Sequence, residues 1–274
     1  MQTFLFDYGG TLDTSAIHWY YIFKQAYAKN PLTAHITDAQ LRQAYVTGER
    51  TLASKRIIVP TDTFHDLLQK KVTIQVSALN EMQILGHIDT SQCNSVIANI
   101  SDYCNNIAYQ TTQNSAQILK YLKQHYQLIM VSNFYGNLTT VLNEYKLISY
   151  FDDIIESAVV GIRKPDPQIW ALGVKAAGTD NKSCIVVGDS YNKDIQPADS
   201  IGCQTIWFKG KEWQANNFAL SYQLKDLNLT NELAFMPYYL ALFNQTEPPA
   251  KDNSEFLRLK DNWVKGAATS GEGN

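Results

Sequence analysis

Residues 4–13 read Phe4-Leu5-Phe6-Asp7-Tyr8-Gly9-Gly10-Thr11-Leu12-Asp13, an apolar run that ends in a carboxylate and opens into paired glycines. The run predicts a short buried strand with Asp7 at its C-terminal edge. In an open α/β sheet, that edge is where ligands bind. Glycines at the turn let backbone amides approach an anion closely. Taken alone, the stretch fits a strand and a turn with a solvated aspartate equally well. The rest of the chain breaks the tie.

Outward from this stretch, residues 15–110 read as almost wholly helical. Thr14-Ser15 predicts a cap for a helix to Lys29, ended by Asn30-Pro31. Thr37 with Gln40 forms a capping-box pattern, and Gly48 is expected to stop that helix. Further helical patterns run from Pro60 towards Gly86 and from Thr90 to about Tyr109. Beyond Gln113 strand and helix alternate: a helix over 115–126, strands at 128–131, 154–155, 184–187 and 205–208, and helices between them. Asp166-Pro167 opens one helix and Gly178 ends it. Alternation of this kind implies a doubly wound parallel sheet. The expected organisation is an α/β core from residues 1–13 and 111–245 with a helical insert at 14–110. A C-terminal extension over 246–274 follows, with a possible docking helix at 256–264.

Composition narrows the class. A chain of 274 residues holds one large domain or two modest ones, and 45% hydrophobic with 18% charged residues is ordinary for a globular protein. A net charge of −3 without a basic stripe argues against nucleic acid as a partner. No run reaches the ~20 apolar residues of a membrane span, and the N-terminus enters a strand without a signal-peptide pattern. The expected location is cytoplasmic, with no membrane partner. Cys93, Cys104, Cys184 and Cys203 are scattered without metal-ligand or disulfide spacing, and read as free thiols.

Three predicted strands end in polar residues: Asp7, Ser132-Asn133 and Gly188-Asp189. All fall on one edge of a parallel sheet. Asp194 stands five residues beyond Asp189, and Lys164 lies in a loop before a helix. Converging carboxylates beside a lysine, a hydroxyl and glycine-turn amides suit a hard cation and a phosphate. Mg²⁺ takes oxygen ligands and commonly sits between one or two carboxylates and a phosphate. It offsets carboxylate repulsion and lets an anionic ester approach.

The motifs resemble the haloacid dehalogenase (HAD) superfamily, in the group with a helical cap inserted after the first strand. Asp7-Tyr8-Gly9-Gly10-Thr11 matches the first motif, Val131-Ser132-Asn133 the second, Lys164-Pro165-Asp166-Pro167 the third, and Gly188-Asp189-Ser190 with Asp194-Ile195 the fourth. The resemblance implies a Rossmann-like core and an Mg²⁺-dependent phosphohydrolase acting on a small phosphorylated metabolite. Asp7 is then the nucleophile, forming an aspartyl-phosphate. Ser132, Lys164 and backbone amides near Tyr8 and Gly9 hold the phosphoryl group, with Thr11 and Asn133 beside them. The implied metal set is Asp7, the Gly9 carbonyl, Asp189 and Asp194, the last through water or by orienting Lys164. Arg50, in a loop expected after the second cap helix, is a candidate clamp for an anionic substrate.

One position departs from the pattern. Family phosphatases usually carry a second Asp two residues after the nucleophile as general acid/base, and here it is Gly9. Such a group typically contributes ~10²–10⁴-fold. Asp13, His18, Glu49 and Arg50 are the candidates to compensate. Otherwise the substrate has a good leaving group, as an acyl phosphate does, or the protein is a weak or inactive HAD-fold binder. Haloacid dehalogenases also lack the second Asp but generally lack the Gly-Asp metal motif, so Gly188-Asp189 disfavours that chemistry. Phosphonate hydrolysis through a cap lysine points to Lys55.

Overall fold

The computed structural model describes residues 2–211 and 213. The remainder of the predicted core to 245, the 246–274 extension and its expected helix lie outside the described residues. Five parallel strands form one sheet in the order β3-β2-β1-β4-β5: β1 Thr3–Phe6, β2 Gln127–Ser132, β3 Asp153–Glu156, β4 Cys184–Gly188 and β5 Gln204–Trp207. β1 lies between β2 and β4, with Phe6 level with both Met130 and Val187. The chain therefore winds outward from β1 in both directions. Asp7 leaves β1 at the crevice where the winding reverses, the usual ligand position in such sheets.

Alternate side chains of β1 feed opposite faces, as the strand period of two requires. Phe4 and Phe6 join Leu128, Met130 and Val187 in the larger core under the long helices. Leu5 joins Ile129, Val131 and Val186 beneath Trp170 and Val174. Because both faces are covered, the strands read as continuous apolar runs rather than alternating ones.

Four helices lie between β1 and β2: α1 Trp19–Lys29, α2 Asp38–Lys55, α3 Phe64–Glu81 and α4 Thr90–Lys123. α2 packs on α3, and α3 on α4. Helix α1 starts later than Thr14-Ser15 predicts, because Ser15 and Ala16 take positive φ and His18 becomes the cap, its Nδ1 accepting from Tyr20 N at 3.2 Å. The Thr37–Gln40 capping box forms as expected. Gly48 does not end α2. It is a contact glycine, where an added Cβ would lie 3.2 Å from the Gln75 side chain of α3. The two helices expected over 90–126 are one helix of 34 residues, so the expected boundary near 110 falls inside α4.

On the sheet side follow α5 Leu138–Glu144, the short α6 Ser157–Val160, α7 Gln168–Ala177 and α8 Gln196–Ser200. Asp166 fastens the start of α7 by accepting from Gln168 N at 2.9 Å, and Gly178 ends it in the left-handed conformation. A wide π-type turn over Tyr191–Ile195 precedes α8. The four cysteines are free, three of them buried. No helix among the described residues is long and apolar enough to cross a membrane.

Candidate active site

Four segments meet above the C-terminal ends of β1, β2 and β4. After Asp7 the chain turns so that Thr11 N and Leu12 N both donate to Tyr8 O, at 3.2 and 2.8 Å. Gly10 takes a φ of +98°, and a Cβ there would lie 2.4 Å from Asp189 Oδ2. Gly188 is constrained in the same way, since its Cβ would fall 2.4 Å from the Asp194 side chain. Glycine at both positions lets the two acidic loops close on Asp7.

Asp7 is the hub. Its Oδ1 accepts from Lys164 Nζ at 2.6 Å and from the Ser132 hydroxyl at 3.3 Å. Its Oδ2 accepts from the Thr11 hydroxyl at 3.2 Å, which in turn accepts from Asp189 N at 3.1 Å. Lys164 Nζ also donates to Asp194 Oδ1 at 2.8 Å and lies 4.3 Å from the centre of the Trp170 ring. Burial works against the Lys164 cation, but Asp194 and Asp7 outweigh it and hold its pKa above the ordinary value. Asn133 spends its side-chain amide on the Lys164 backbone: Nδ2 donates to Lys164 O at 3.0 Å and Lys164 N donates to Oδ1 at 2.9 Å.

Asp7, Asp189 and Asp194 each bring a carboxylate oxygen within 4.8 Å of the others. Burial raises the Asp189 pKa well above the usual carboxylate range, and the charges of Asp194 and Asp7 add to the effect. Burial also raises Asp194, to about 6, against the pull of Lys164. A hard divalent cation with oxygen ligands fits this donor set, because it offsets the mutual repulsion that adds to the effect of burial. Both Asp194 oxygens already accept bonds, from Lys164 and from Ser190 N at 2.9 Å. Asp189 is the freest of the three, its carboxylate met only by the Thr11 hydroxyl at 3.5 Å.

A cavity of about 620 Å³ opens from this cluster to the helices, lined by Asp7, Gly9, Asp13, Ser132, Asn133, Lys164, Asp189 and Asp194 at the sheet end. Arg50, exposed on α2 rather than in a loop, also lines it. Two expected contacts fall elsewhere. Thr11 is fully buried beneath the carboxylates, and the Tyr8 ring packs edge-on to Phe134 in the core, away from the cavity lining. The phenol of Tyr8 is buried without a partner among the described residues. Lys55 is exposed and outside the lining. Gly9 is exposed, and a Cβ added there would meet nothing within 4 Å.

Other cavity residues were not singled out by the sequence. Lys71, Tyr45, Tyr135, Phe64 and Phe134 line the helical end beside Glu49 and Trp19. Lys71 carried a readable signal: it interrupts the buried stripe of α3 formed by Phe64, Leu67, Leu68, Val72 and Val76. A lysine on an apolar helix face needs a reason to be there.

A doubly wound sheet with an acidic, lysine-bridged cluster at its switch point places a set of buried carboxylates where α/β enzymes bind their ligands. A family model for haloacid dehalogenase-like hydrolases matches residues 1–202, and the chain belongs to that family. Similar curated proteins include haloacid dehalogenase-like hydrolase domain-containing protein 3 of Mus musculus, 30% identical over 112 residues, covering 40% of this chain and 45% of the relative. A glyceraldehyde 3-phosphate phosphatase of Pyrococcus abyssi is 37% identical over 60 residues, 22% of this chain and 25% of the relative. The matches thus span less than half the length of these relatives. A 2-haloacid dehalogenase structure from Pseudomonas syringae pv. Tomato superposes with a TM-score of 0.50 at 18% identity, covering 89% of this chain and 100% of that one. At that identity the likeness concerns the fold.

Proposed function

We propose that the protein is an Mg²⁺-dependent phosphohydrolase that acts on a small phosphorylated metabolite through a phosphoryl group carried on Asp7. The observation that carries this reading is Lys164 Nζ, bonded at once to Asp7 and Asp194 with Ser132 and Thr11 on the remaining Asp7 positions. The carboxylate is aimed and desolvated, and the cation beside it matches the charge of a transferring phosphoryl group. α1–α4 act as the cap over a core built on the five-stranded sheet, with α4 shared between the two. The phosphatase name of the Pyrococcus relative supports a small phosphate ester as substrate.

In this reading an Asp7 oxygen attacks phosphorus, the bond from phosphorus to the leaving oxygen breaks, and that oxygen takes a proton. Water then attacks the aspartyl-phosphate, releasing inorganic phosphate and restoring Asp7. Lys164 and Ser132 hold the phosphoryl oxygens, and Asp194 orients Lys164. Asp7, Asp189 and the Gly9 carbonyl would hold the metal, which supplies charge neutralisation when bound. Gly9 offers no proton. Asp13 lines the cavity four residues on, and burial raises its carboxyl to about 7 despite bonds from Gly10 N and Trp19 Nε1 at 2.7 and 2.9 Å. We assign the proton to Asp13.

Phosphate release by the full chain with Mg²⁺, from a panel of monoesters and acetyl phosphate, tests the reading. Turnover lost in Asp7→Asn is expected. Turnover retained in that variant overturns the nucleophile. The absence of Asp at position 9 favours a second reading, a HAD-fold binding protein, and no turnover of any ester or acyl phosphate would support it.

A further inference from the structure

The helical end of the cavity contains an ion pair, its lysine buried and its glutamate partly exposed, for which phosphoryl transfer has no use. Lys71, 6% exposed, donates from Nζ to Glu49 Oε1 at 2.6 Å, and the Tyr135 hydroxyl donates to Glu49 Oε2 at 2.7 Å. The Tyr45 side chain lines the cavity beside the same carboxylate. Three elements contribute: Tyr45 and Glu49 come from α2, Lys71 from α3, and Tyr135 from the loop after β2, which follows Ser132 and also carries Asn133.

The pair is asymmetric. Glu49 accepts from Lys71 on Oε1 and from the Tyr135 hydroxyl on Oε2. Burial opposes the Lys71 cation, but the Glu49 charge overrides it and keeps the ammonium protonated. An ammonium carries three donors and no acceptor. Glu49 takes one of them, and Tyr135 lies within reach of another. The set therefore has an ammonium N–H to offer the cavity. Around it the walls are rings: Trp19 and Phe64 lie 5.3 Å apart by their centroids, and Phe134 stands 5.5 Å from Tyr135. Aromatic walls favour flat partners that stack or meet them edge-on.

Size adds a third constraint. At about 620 Å³ the cavity lies within the ~300–1,000 Å³ typical of pockets for drug-sized ligands. A three-carbon phosphate ester seated on Asp7 would leave the ring-lined end unfilled and Lys71 without a ligand.

We infer that Lys71, positioned by Glu49 and Tyr135, recognises the leaving group of a phosphate monoester whose organic part is a flat ring bearing hydrogen-bond acceptors, as in a nucleoside 5′-monophosphate. The inference rests on the proposed phosphoryl site at Asp7 and names the substrate class of that site.

The test separates the two by measuring binding apart from turnover. The full-length Asp7→Asn protein with Mg²⁺ is titrated calorimetrically with uridine 5′-monophosphate, phenyl phosphate, glycerol 3-phosphate and inorganic phosphate. The ring with acceptors should bind about 10-fold or more tighter than glycerol 3-phosphate, with phenyl phosphate between them. Adding Lys71→Met with Glu49→Gln removes both charges together and avoids stranding one of them. It should erase the preference for the nucleotide over phenyl phosphate. Glycerol 3-phosphate binding as tightly as the nucleotide overturns the inference, as does a double substitution that weakens all four ligands alike. Should the double substitution fail to fold, Tyr135→Phe stands in. It deletes one hydroxyl from the Glu49 shell and should lower nucleotide affinity without changing that for inorganic phosphate. An equal loss for both ligands overturns the inference. Absence of turnover in the wild-type protein counts against the phosphohydrolase reading, and the order of affinities still decides the leaving-group site.

Discussion

The two ends of the cavity are built from different material. At the sheet end, Asp7, Ser132 and Asp189 sit at or just past the ends of parallel strands, Asp194 and Lys164 reach them from the turns nearby, and almost every polar atom already has a partner. At the helical end, Glu49 and Lys71 project from long helices between aromatic walls, and a buried ammonium meets the cavity. Strand-end loops fix a few groups to within a fraction of an ångström, which is what bond-making requires. Helix faces supply area and shape, which discriminate among organic groups. The difference teaches where to look for chemistry and where to look for selectivity.

Removing the hub should give the largest effect. Asp7→Asn keeps the shape, and a nucleophile knock-out of this kind typically costs roughly 10⁴-fold or more in kcat. Single-turnover phosphate release measures it, and a loss below tenfold would detach chemistry from the sheet end. Lys164→Met should come next, with kcat lower by about 10²–10³-fold, since a preorganised charge beside the reacting group is lost. It also strands Asp7 and Asp194 as buried, unpaired carboxylates. Loss of one partner from a buried pair costs about 3–5 kcal/mol, so the Tm in metal-free buffer should fall clearly. Mg²⁺ should recover part of it by binding the folded state. An unchanged Tm without metal would mean that the carboxylates are already neutral.

The sheet end was the legible end. A carboxylate following a buried strand is fixed to one sheet edge by two-residue periodicity, so Asp7, Ser132 and Asp189 could be brought together before any coordinates. The three side chains do meet there, and Lys164 reaches them from its loop. What contiguity does not specify is which member of a motif faces the cavity. Tyr8 and Thr11 lie between site residues in sequence, yet one turns into the core and the other beneath the carboxylates. The helical end was harder to read for a different reason. The partners of Glu49 are Lys71, 22 residues away on the next helix, and Tyr135, 86 residues away. That meeting depends on helix packing, which periodicity alone does not set. Gly48 illustrates the same limit. It reads as a stop signal, and only the proximity of α3 makes it a contact residue.

Gly9→Asp crosses from one end of the cavity toward the other, because it adds a proton donor facing the leaving group. The open space around a Cβ at Gly9 means that the change is not blocked by packing. Hydrolysis of an alkyl phosphate, whose leaving group is poor, should rise by about 10²-fold, at the low end for a general acid. Acetyl phosphate, whose leaving group needs no acid, should change little. Equal gains on both substrates would show that the new carboxylate acts on the metal or the phosphoryl group instead.

The smallest effect, and the sharpest on the division between the two ends, concerns Asp13. It lines the cavity and its carboxyl is raised to about 7 by burial, whereas burial and the charge of Lys193 lower His18 to about 4. At neutral pH the histidine is therefore unprotonated and cannot donate, while about half of Asp13 can. The acid form is lost as pH rises through 7, so wild-type kcat/KM on an alkyl phosphate should fall above that point. Asp13→Asn should be lower and flat across the same window, with acetyl phosphate hydrolysis nearly unaffected. Stability carries the same sign. A carboxyl whose folded pKa is raised contributes stability that is fully present below its unfolded value near 4 and is lost as pH rises through 7. The gap in Tm between wild type and Asp13→Asn should thus shift in favour of the variant between about pH 4 and pH 7, then stay constant. The lost bond from Trp19 Nε1 lowers the variant by an amount that does not depend on pH, so the slope is the quantity to read, not the offset. A gap that is flat in pH, alongside equal losses on both substrates, would make Asp13 a fastener of the Gly10 turn. The proton for the leaving oxygen would then have to come from the helical end.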